Sequence, residues 1–394
     1  MKKIYSLLFS HKFPLLIITL LLITFSSCLR DVREYQTPIN KIISADNSFI
    51  QFTGRFNYSD SIKAVFALSG SQIVARFNSS TIKLWLKNNS PDTGIYNENY
   101  FNIYVDEQEP YVLKVNNKDS IYTLADSLEE GTHTIKIVKR TEAACGTCEF
   151  FGFLIEQEKI ILTPPIRLKR RIEFIGNSIT CGYGVEGKKS SESFSPKTEN
   201  SDKSYASVSS RILDAEFVSV CYSGLGVSQN YDTAWKQDIF ELYKRIYSQH
   251  GRRWDFSTWM PDVVVINLGT NDFALGLPDS TKFVNDYFNL LQLVHSKNPN
   301  AKIVCLDGPM LSNGWPNEVE TQKPIKSKKI CKNYINVAIQ IAKAKGINDV
   351  YQFSLTTSGK FGYGANWHPN EKQQNYNAKE LADYISEIME WEII

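Results

Sequence analysis

Three short segments of the 394-residue chain place reactive groups directly after apolar stretches, in a pattern suited to acyl transfer. Ser178 begins a predicted helix after the first stretch, and a helix N-terminus favours negative charge beside the serine N–H. Gly224 follows the second stretch, where a glycine lets a backbone N–H approach a ligand closely. Asn271 follows the third, and its amide can donate a hydrogen bond without adding a charge. Each residue alone is also compatible with an ordinary cap or turn, so the hypothesis depends on the set.

A general base for Ser178 is selected by elimination among the histidines that lie beyond the N-terminal leader. His133 falls in a predicted strand, His250 in a polar loop and His295 near a helix end. His368 lies in the loop between the last predicted strand and the last predicted helix, from which a side chain can return to the strand ends. We therefore predict that His368 is the catalytic base.

Strands and helices alternate in the second half of the chain, which predicts how these groups are positioned. The continuous apolar run Val263–Ile266 is typical of a strand in a parallel sheet that is covered on both faces. Such sheets bind ligands outside the carboxyl ends of their strands. We predict a three-layer, flavodoxin-like α/β domain over residues 172–394. Its predicted strands are Ile172–Ile175, Phe217–Cys221, Asp262–Leu268, Ile303–Leu306 and Asp349–Phe353, and its predicted helices lie near Tyr205–Leu213, Thr233–Tyr247, Phe283–His295, Lys326–Ala344 and Tyr376–Trp391.

The first half of the chain has the hydrophobic pattern of an all-β domain. Short β-branched and aromatic runs are separated by clusters of Asn, Asp, Gly and Ser, and no long helical period occurs. We predict a jelly-roll sandwich over residues 41–162, followed by a linker at residues 163–171. The predicted strands are Ile73–Phe77, Ile82–Leu86, Phe101–Val105, Tyr111–Val115, Ile121–Leu124, His133–Val138 and Phe150–Glu156.

Residues 1–27 have the pattern of an export signal. Three lysines precede an apolar run of 13 residues, Phe13–Phe25, which is shorter than the roughly 18 residues that cross a bilayer. Cys28 lies where bacterial lipoprotein signals are cleaved and acylated; a plain signal peptide with an incidental cysteine is the alternative. We predict an exported lipoprotein, periplasmic or at the cell surface, that is anchored to the membrane through Cys28. Residues 28–40 would form its polar tether.

Six further cysteines follow Cys28, and export would permit them to form disulfides. Two residues separate Cys145 from Cys148, which favours a small disulfide that staples a loop, with inert thiols as the alternative. No second pair of ligands lies nearby, so we expect no metal site.

The composition excludes several classes of protein. Charged residues are 22% and hydrophobic residues 42%, the balance of an ordinary globular protein. The 44 basic and 42 acidic residues leave a net charge of +2, which gives no electrostatic reason to expect a nucleic-acid partner. Collagenous, intrinsically disordered and polytopic membrane proteins are excluded as well.

Taken together, the four segments resemble the SGNH, or GDSL-like, hydrolase superfamily. One departure is Asn177, which stands where the superfamily has the aspartate of Gly-Asp-Ser. The resemblance implies that Ser178 is the nucleophile and His368 the general base. It also implies an oxyanion hole formed by the Ser178 N–H, the Gly224 N–H and the Asn271 side chain. The resemblance covers residues 171–394, and its segments are Gly176-Asn177-Ser178-Ile179, Ser223-Gly224-Leu225-Gly226, Gly269-Thr270-Asn271-Asp272 and Trp367-His368-Pro369.

The whole chain resembles carbohydrate esterase family 2, which joins an N-terminal jelly roll to an SGNH domain. The segments Gly131–Ala143 and Arg171–Gly184 carry this similarity. It implies removal of O-acetyl groups from plant polysaccharides such as xylan or glucomannan, and no cofactor. Trp315 and Trp367 are candidates for sugar-binding platforms or for packing. A noncatalytic glycan-binding lipoprotein and a lipid esterase or thioesterase are the alternative functions.

The histidine segment lacks the acid that is usual in the superfamily. Members mostly have an acid three residues before the histidine, and Ala365 occupies that position here, followed by Asn366. Asp307 is a more distant acid, but it follows a predicted strand and more simply serves as a cap or turn residue. Asp272 is likewise predicted to cap the turn that follows it. We therefore predict a Ser–His dyad, in which a backbone carbonyl near Ala365 or Asn366 accepts the Nδ1–H of His368.

Overall fold

A computed structural model describes residues 40–247, 251–314 and 323–393 of the chain. The export signal, the tether up to residue 39 and Cys28 lie outside the described residues. The same holds for His250 and Trp315. In the part of the chain that is described, no helix is long and apolar enough to cross a membrane.

The N-terminal part consists of two six-stranded sheets. One has the order β3-β4-β11-β6-β9 with β1 paired to β11, and the other β12-β5-β10-β7-β8 with β2 paired to β5; neighbours along each path are antiparallel. The strands are β1 (Asn40–Ser44), β2 (Gln51–Thr53), β3 (Asn57–Asp60), β4 (Lys63–Phe66), β5 (Gln72–Phe77), β6 (Ile82–Asn89), β7 (Asn99–Val105), β8 (Tyr111–Val115), β9 (Ile121–Ala125), β10 (His133–Lys139), β11 (Thr147–Glu156) and β12 (Ile161–Leu162).

Alternating side chains explain why these segments form sheets. In β6, Ile82, Leu84 and Leu86 are buried, whereas the residues between them are partly exposed. This period of two places one face of the strand against a shared aliphatic and aromatic core and the other toward water. The all-β prediction for this part is confirmed, and the jelly-roll connectivity stays a prediction.

The C-terminal part contains a five-stranded parallel sheet in the order β14-β13-β15-β16-β17. One face is covered by α2 and α6, which contact each other, and the other by α4 and α5. The predicted α/β domain with a parallel sheet is therefore confirmed. Its elements are β13 (Arg170–Gly176), α1 (Ser178–Cys181), α2 (Tyr205–Ile212), β14 (Ala215–Cys221), α3 (Ile239–Tyr243), β15 (Val263–Asn267), α4 (Ser280–Lys297), β16 (Lys302–Leu306), α5 (Ser327–Ala344), β17 (Val350–Phe353) and α6 (Glu371–Met389).

The predicted helix near Thr233–Tyr247 is wrong over most of its length, because only α3 is helical there. The side-chain amide of Asn230 donates hydrogen bonds to the carbonyl oxygens of Trp235 and Gln237 at 3.1 and 2.8 Å, which withdraws both carbonyls from a helical ladder. Asp238 then caps the first turn of α3 through the N–H of Phe240.

The cysteine pair does not form the predicted disulfide, since the six described cysteines are all free thiols and buried. Cys145 packs with Tyr183 and Phe194, whereas Cys148 lies in the core of the β-rich part. The two thiols belong to separate packing clusters, which accounts for the absence of a bond. The alternative of inert thiols fits this arrangement.

The β-rich and α/β parts meet at a seam that contains a buried ion pair. The guanidinium of Arg55 donates to Glu173 Oε1 at 2.9 Å, and neither side chain is exposed by more than 3%. The same guanidinium also donates to the carbonyl oxygens of Tyr243 and Arg245, at 2.6 and 2.7 Å. A charge that is buried and paired in this way stabilises the seam only while its partner is present.

Glu173→Ala should therefore lower the free energy of unfolding by about 3–5 kcal/mol, because it leaves the Arg55 charge buried without its carboxylate. Urea denaturation of the purified protein measures this. Lys282→Ala is the control: it breaks a partly exposed ion pair with Asp286 and should cost less than about 1 kcal/mol. A Glu173→Ala loss as small as that of the control would contradict the argument.

Candidate active site

Ser178 lies at the carboxyl end of β13, on the first turn of the short helix α1. The side chain of Asn177 caps this turn by accepting the Ile179 N–H at 3.2 Å. Gly176 is required before the turn, because a Cβ there would lie 2.1 Å from the hydroxyl of Thr180. The backbone N–H of Ser178 donates no hydrogen bond to another described residue, so it is available to a ligand.

His368 approaches Ser178 from the loop after β17. Its Nε2 lies 2.9 Å from the Oγ of Ser178, and its Nδ1 lies 2.9 Å from the carbonyl oxygen of Asn366. Nδ1 must donate to that carbonyl, so Nε2 is left to accept the serine proton. The ring of Tyr183 stacks on the imidazole with a centroid distance of 4.1 Å. The structure thus brings the predicted nucleophile and base into hydrogen-bonding contact.

Left-handed backbone at two successive positions directs the Asn366 carbonyl toward the imidazole. Asn366 has φ 50° and ψ 45°, and Trp367 has φ 62°. This region is unfavourable for most side chains and is tolerated best by Gly, Asn and Asp. Strained backbone of this kind clusters at functional sites, and here it orients the imidazole of His368.

Two glycines allow the histidine loop to pack against the serine loop. The Ala365 N–H donates to the Gly184 carbonyl at 2.9 Å. A Cβ on Gly184 would lie 2.8 Å from the Ala365 side chain, and one on Gly187 would lie 2.3 Å from the Ala365 nitrogen. Larger side chains at these positions would push His368 away from the serine.

The two other predicted oxyanion donors line the same cleft as Ser178 and His368. Gly224 has φ 81°, a conformation that favours glycine, and its N–H donates to no other described residue. The Asn271 amide donates one N–H to the Leu225 carbonyl at 2.8 Å, which leaves the second N–H for a ligand.

Asp272 does not cap the turn that follows it, and that prediction is wrong. Its buried carboxylate instead accepts the N–H groups of Val227, Ser228 and Gln229 at 2.7–3.1 Å. Asp272 therefore orders the loop that carries Gly224. The sequence gives no signal for this contact because the two loops are distant along the chain.

The cleft has a volume of about 1060 Å³ and an aromatic lining. Trp367 lies on it with 59% of its surface exposed and packs edge-on against Tyr363. Residues 91 and 93–96 of the β-rich part also line the cleft. Sequence reasoning missed them, because no motif marks that loop. Further aromatic side chains that line the cleft and were missed are Tyr96, Tyr222, Tyr231 and Trp235.

One group of described side chains could share a metal ion: Glu142, Cys181 and Glu199, whose ligand atoms all lie within 4.8 Å of one another. None of the three lines the cleft. Burial raises the pKa of both glutamates, which favours neutral carboxyl groups over the charged form that a metal requires. The chemistry of this donor set therefore does not fit a metal centre.

Comparison with known proteins shows to which family the chain belongs. The family model "Carbohydrate esterase 2 N-terminal" matches residues 52–165, and "GDSL-like Lipase/Acylhydrolase family" matches residues 174–375. The solved structure of a family two carbohydrate esterase from Clostridium thermocellum in complex with cellohexaose is 36% identical, and the match covers 87% of this chain and 100% of that one with a TM-score of 0.79. The chain belongs to carbohydrate esterase family 2.

Two curated relatives support this membership. The cellulase/esterase CelE of Acetivibrio thermocellus is 36% identical over 359 residues, which are 91% of this chain and 41% of CelE. The chain thus spans less than half the length of that relative. An acetylxylan esterase/glucomannan deacetylase of Cellvibrio japonicus is 27% identical over 303 residues, covering 74% of this chain and 78% of that protein.

The predicted base, His368, is kept neutral by burial. The pKa of His368 is lowered from 6.5 to about 4, because desolvation by burial outweighs the hydrogen bonds to the carbonyls of Asn366 and Ala365, which raise it. Among the described residues, no carboxylate bonds to Nδ1. The distant acid Asp307 accepts the Ser354 hydroxyl at 2.9 Å instead.

The activity should therefore persist to unusually low pH. The imidazole can accept a proton only while it is neutral, and with a pKa of about 4 the neutral form predominates at every pH above that value. We expect kcat/KM for p-nitrophenyl acetate to fall with a midpoint near pH 4 as the pH is lowered. Circular dichroism at each pH verifies that the protein is folded. A midpoint near 6.5, the ordinary histidine value, would show that the ring is solvated.

Proposed function

We propose that the protein is a serine esterase that removes O-acetyl groups from plant cell-wall polysaccharides such as xylan and glucomannan. The observation that carries the proposal is the 2.9 Å contact between His368 Nε2 and Ser178 Oγ, in a cleft that the oxyanion donors also line. Family membership supports an ester substrate. The name of the Cellvibrio japonicus relative, an acetylxylan esterase/glucomannan deacetylase, supports acetylated polysaccharides as the substrate class.

In the acylation step, His368 accepts the Ser178 proton at Nε2 while Oγ attacks the acetyl carbonyl carbon. The carbonyl oxygen becomes an oxyanion, which the Ser178 N–H, the Gly224 N–H and the free N–H of Asn271 would stabilise. The protonated imidazole then gives its proton to the sugar oxygen as the bond from carbon to that oxygen breaks. The deacetylated sugar leaves, and the acetyl group stays on Ser178.

In the deacylation step, water takes the place of the sugar hydroxyl. A water molecule attacks the acetyl-enzyme while His368 accepts one of its protons. His368 then returns that proton to Ser178 as acetate departs. In this dyad mechanism, the neutral Asn366 carbonyl fixes the tautomer of the base throughout but stabilises the imidazolium less than a carboxylate would.

The lining of the cleft favours a carbohydrate substrate. The cleft is lined by residues of both parts of the chain, and the aromatic side chains that surround the serine are Tyr222, Tyr231, Trp235 and Trp367. Aromatic side chains combine a flat apolar face with a polar edge, which suits sugar rings. Acetate release from acetylated xylan and glucomannan, compared with p-nitrophenyl esters of long acyl chains, would separate this activity from a lipid esterase.

Ser178→Ala should abolish esterase activity while leaving the fold intact, because it removes the nucleophile and no other contact of the core. Acetate release and p-nitrophenyl acetate hydrolysis measure activity, and thermal unfolding verifies the fold. If the folded variant retained most of its esterase activity, the proposed mechanism would be excluded. The noncatalytic glycan-binding alternative would then be favoured for the cleft.

Asn271→Ala should lower kcat by roughly 10²–10³, the usual loss for one oxyanion donor. KM should change little, because the donor acts mainly on the transition state. Steady-state kinetics on p-nitrophenyl acetate tests this. An unchanged kcat with a raised KM would instead assign Asn271 to substrate binding.

We also propose that the N-terminal part is a jelly roll, which its two six-stranded sheets support.

We propose further that Cys28 carries a lipid which anchors an exported protein to the membrane. The support for this anchor is the sequence pattern of the leader, because the leader and Cys28 lie outside the described residues. Cys28→Ser should then yield soluble protein with unchanged kcat, since the lipid lies outside the catalytic part. Fractionation after a high-salt wash, with the unchanged chain as control, measures this. A variant that stays in the membrane fraction would argue against lipid as the anchor.

A further inference from the structure

A carboxyl group of the β-rich part contacts the loop that carries Gly224. Glu142 follows β10 and is fully buried at the seam. Its Oε2 accepts the backbone N–H of Ser223 at 2.8 Å. Ser223 directly precedes Gly224, so this hydrogen bond fixes the peptide group next to an oxyanion donor.

Both backbone groups of Glu142 are fixed by hydrogen bonds. Its backbone N–H donates to Glu199 Oε2 at 3.0 Å, and its carbonyl oxygen accepts the buried ammonium of Lys139 at 3.2 Å. The Cys145 N–H donates to the same carbonyl at 3.1 Å. A group fixed by this many partners can position another one without moving itself.

The rest of the loop is anchored from within the α/β part. The Tyr231 N–H donates to the Gly224 carbonyl at 2.9 Å, and Asn271 donates to the Leu225 carbonyl. Asp272 accepts the three N–H groups of residues 227–229. Among the described residues, the Ser223 N–H donates to Glu142 alone, whereas the Tyr222 N–H before it donates to the Gly176 carbonyl at 3.3 Å. The β-rich part therefore holds the peptide group that directly precedes the Ser223–Gly224 peptide.

The chemistry of Glu142 suits a place near an oxyanion. Burial raises its pKa, with opposing effects from hydrogen bonding to Ser223 and from the charge on Lys139. The carboxyl group of Glu199 and the thiol of Cys181, at 4.0 Å, adjoin it. A neutral carboxyl oxygen can accept the Ser223 N–H without opposing the negative charge that develops on the substrate.

We propose that Glu142 is a positioning residue for the oxyanion hole, so that the β-rich part completes the catalytic site of the α/β part. The inference rests on the proposed esterase function and deepens it. Removing the acceptor would leave a buried N–H unpaired, and the peptide would turn to find another partner. The Gly224 N–H would then lose its alignment with the developing oxyanion, where displacements of about 1 Å cost up to 10²-fold in rate.

Two substitutions of similar size separate the acceptor from the packing. Glu142→Gln keeps an oxygen that can accept the Ser223 N–H, whereas Glu142→Met fills the same space without one. For p-nitrophenyl acetate, we expect Glu142→Met to lower kcat about 10- to 100-fold with little change in KM. Glu142→Gln should keep kcat within about threefold of the unchanged chain. Thermal unfolding of both variants measures their stability and verifies that they are folded under the assay conditions.

The outcomes are distinct. A folded Glu142→Met protein with an unchanged kcat would overturn the inference, as would an equal loss in Glu142→Gln and Glu142→Met. If Glu142→Met does not fold, Glu142→Asp withdraws the acceptor by one methylene group, and a kcat equal to that of the unchanged chain would overturn the inference. Ser178→Ala measured in parallel tests the esterase function separately: an inactive Ser178→Ala with an unaffected Glu142→Met rejects the positioning role alone.

Discussion

The register of three neighbouring parallel strands is the constraint on which the active site depends. Gly176 at the end of β13 lies level with Cys221 of β14 and with Asn267 of β15. Adjacent strands are about 4.8 Å apart, so three loops that begin at the same level start within reach of one substrate group. Ser178, Gly224 and Asn271 belong to these loops, and each lies only a few residues beyond the end of its strand, where it faces the cleft.

The position of His368, the proposed base, depends on a second constraint, which is the close approach of two loops. The glycines at 184 and 187 leave room for Ala365, and the left-handed backbone at Asn366 turns a carbonyl oxygen toward the imidazole. This arrangement replaces a carboxylate by a neutral acceptor. Burial keeps His368 in its neutral form, because desolvation lowers the pKa of the imidazole by more than the hydrogen bonds to the carbonyls raise it.

The β-rich part is joined to the α/β part by polar groups that are buried at their seam. Arg55 and Glu173 form an ion pair there, and the Ser201 N–H donates to the Arg140 carbonyl at 3.0 Å. Near the predicted catalytic residues, Glu142 contacts the loop of Gly224, and residues 91 and 93–96 line the cleft. Because breaking a buried hydrogen bond is costly, these contacts favour a single arrangement of the seam. The N-terminal part is thus structurally continuous with the active site.

The sequence by itself determined the two fold classes and the four segments at the cleft, because strand period and strand-end motifs are local properties of the chain. The parallel strand β15 and the capped helix α2 could be predicted from their own residues. Local patterns were insufficient where distant partners compete: Asn230 shortened the helix before Tyr243, and separate cores kept Cys145 from Cys148. Only the tertiary structure decided that Asp272 orders the neighbouring loop, that Glu142 contacts Ser223 and that Asn366 presents its carbonyl to the base. These contacts join residues from different loops or depend on backbone angles, and neither leaves a periodic signal in the sequence.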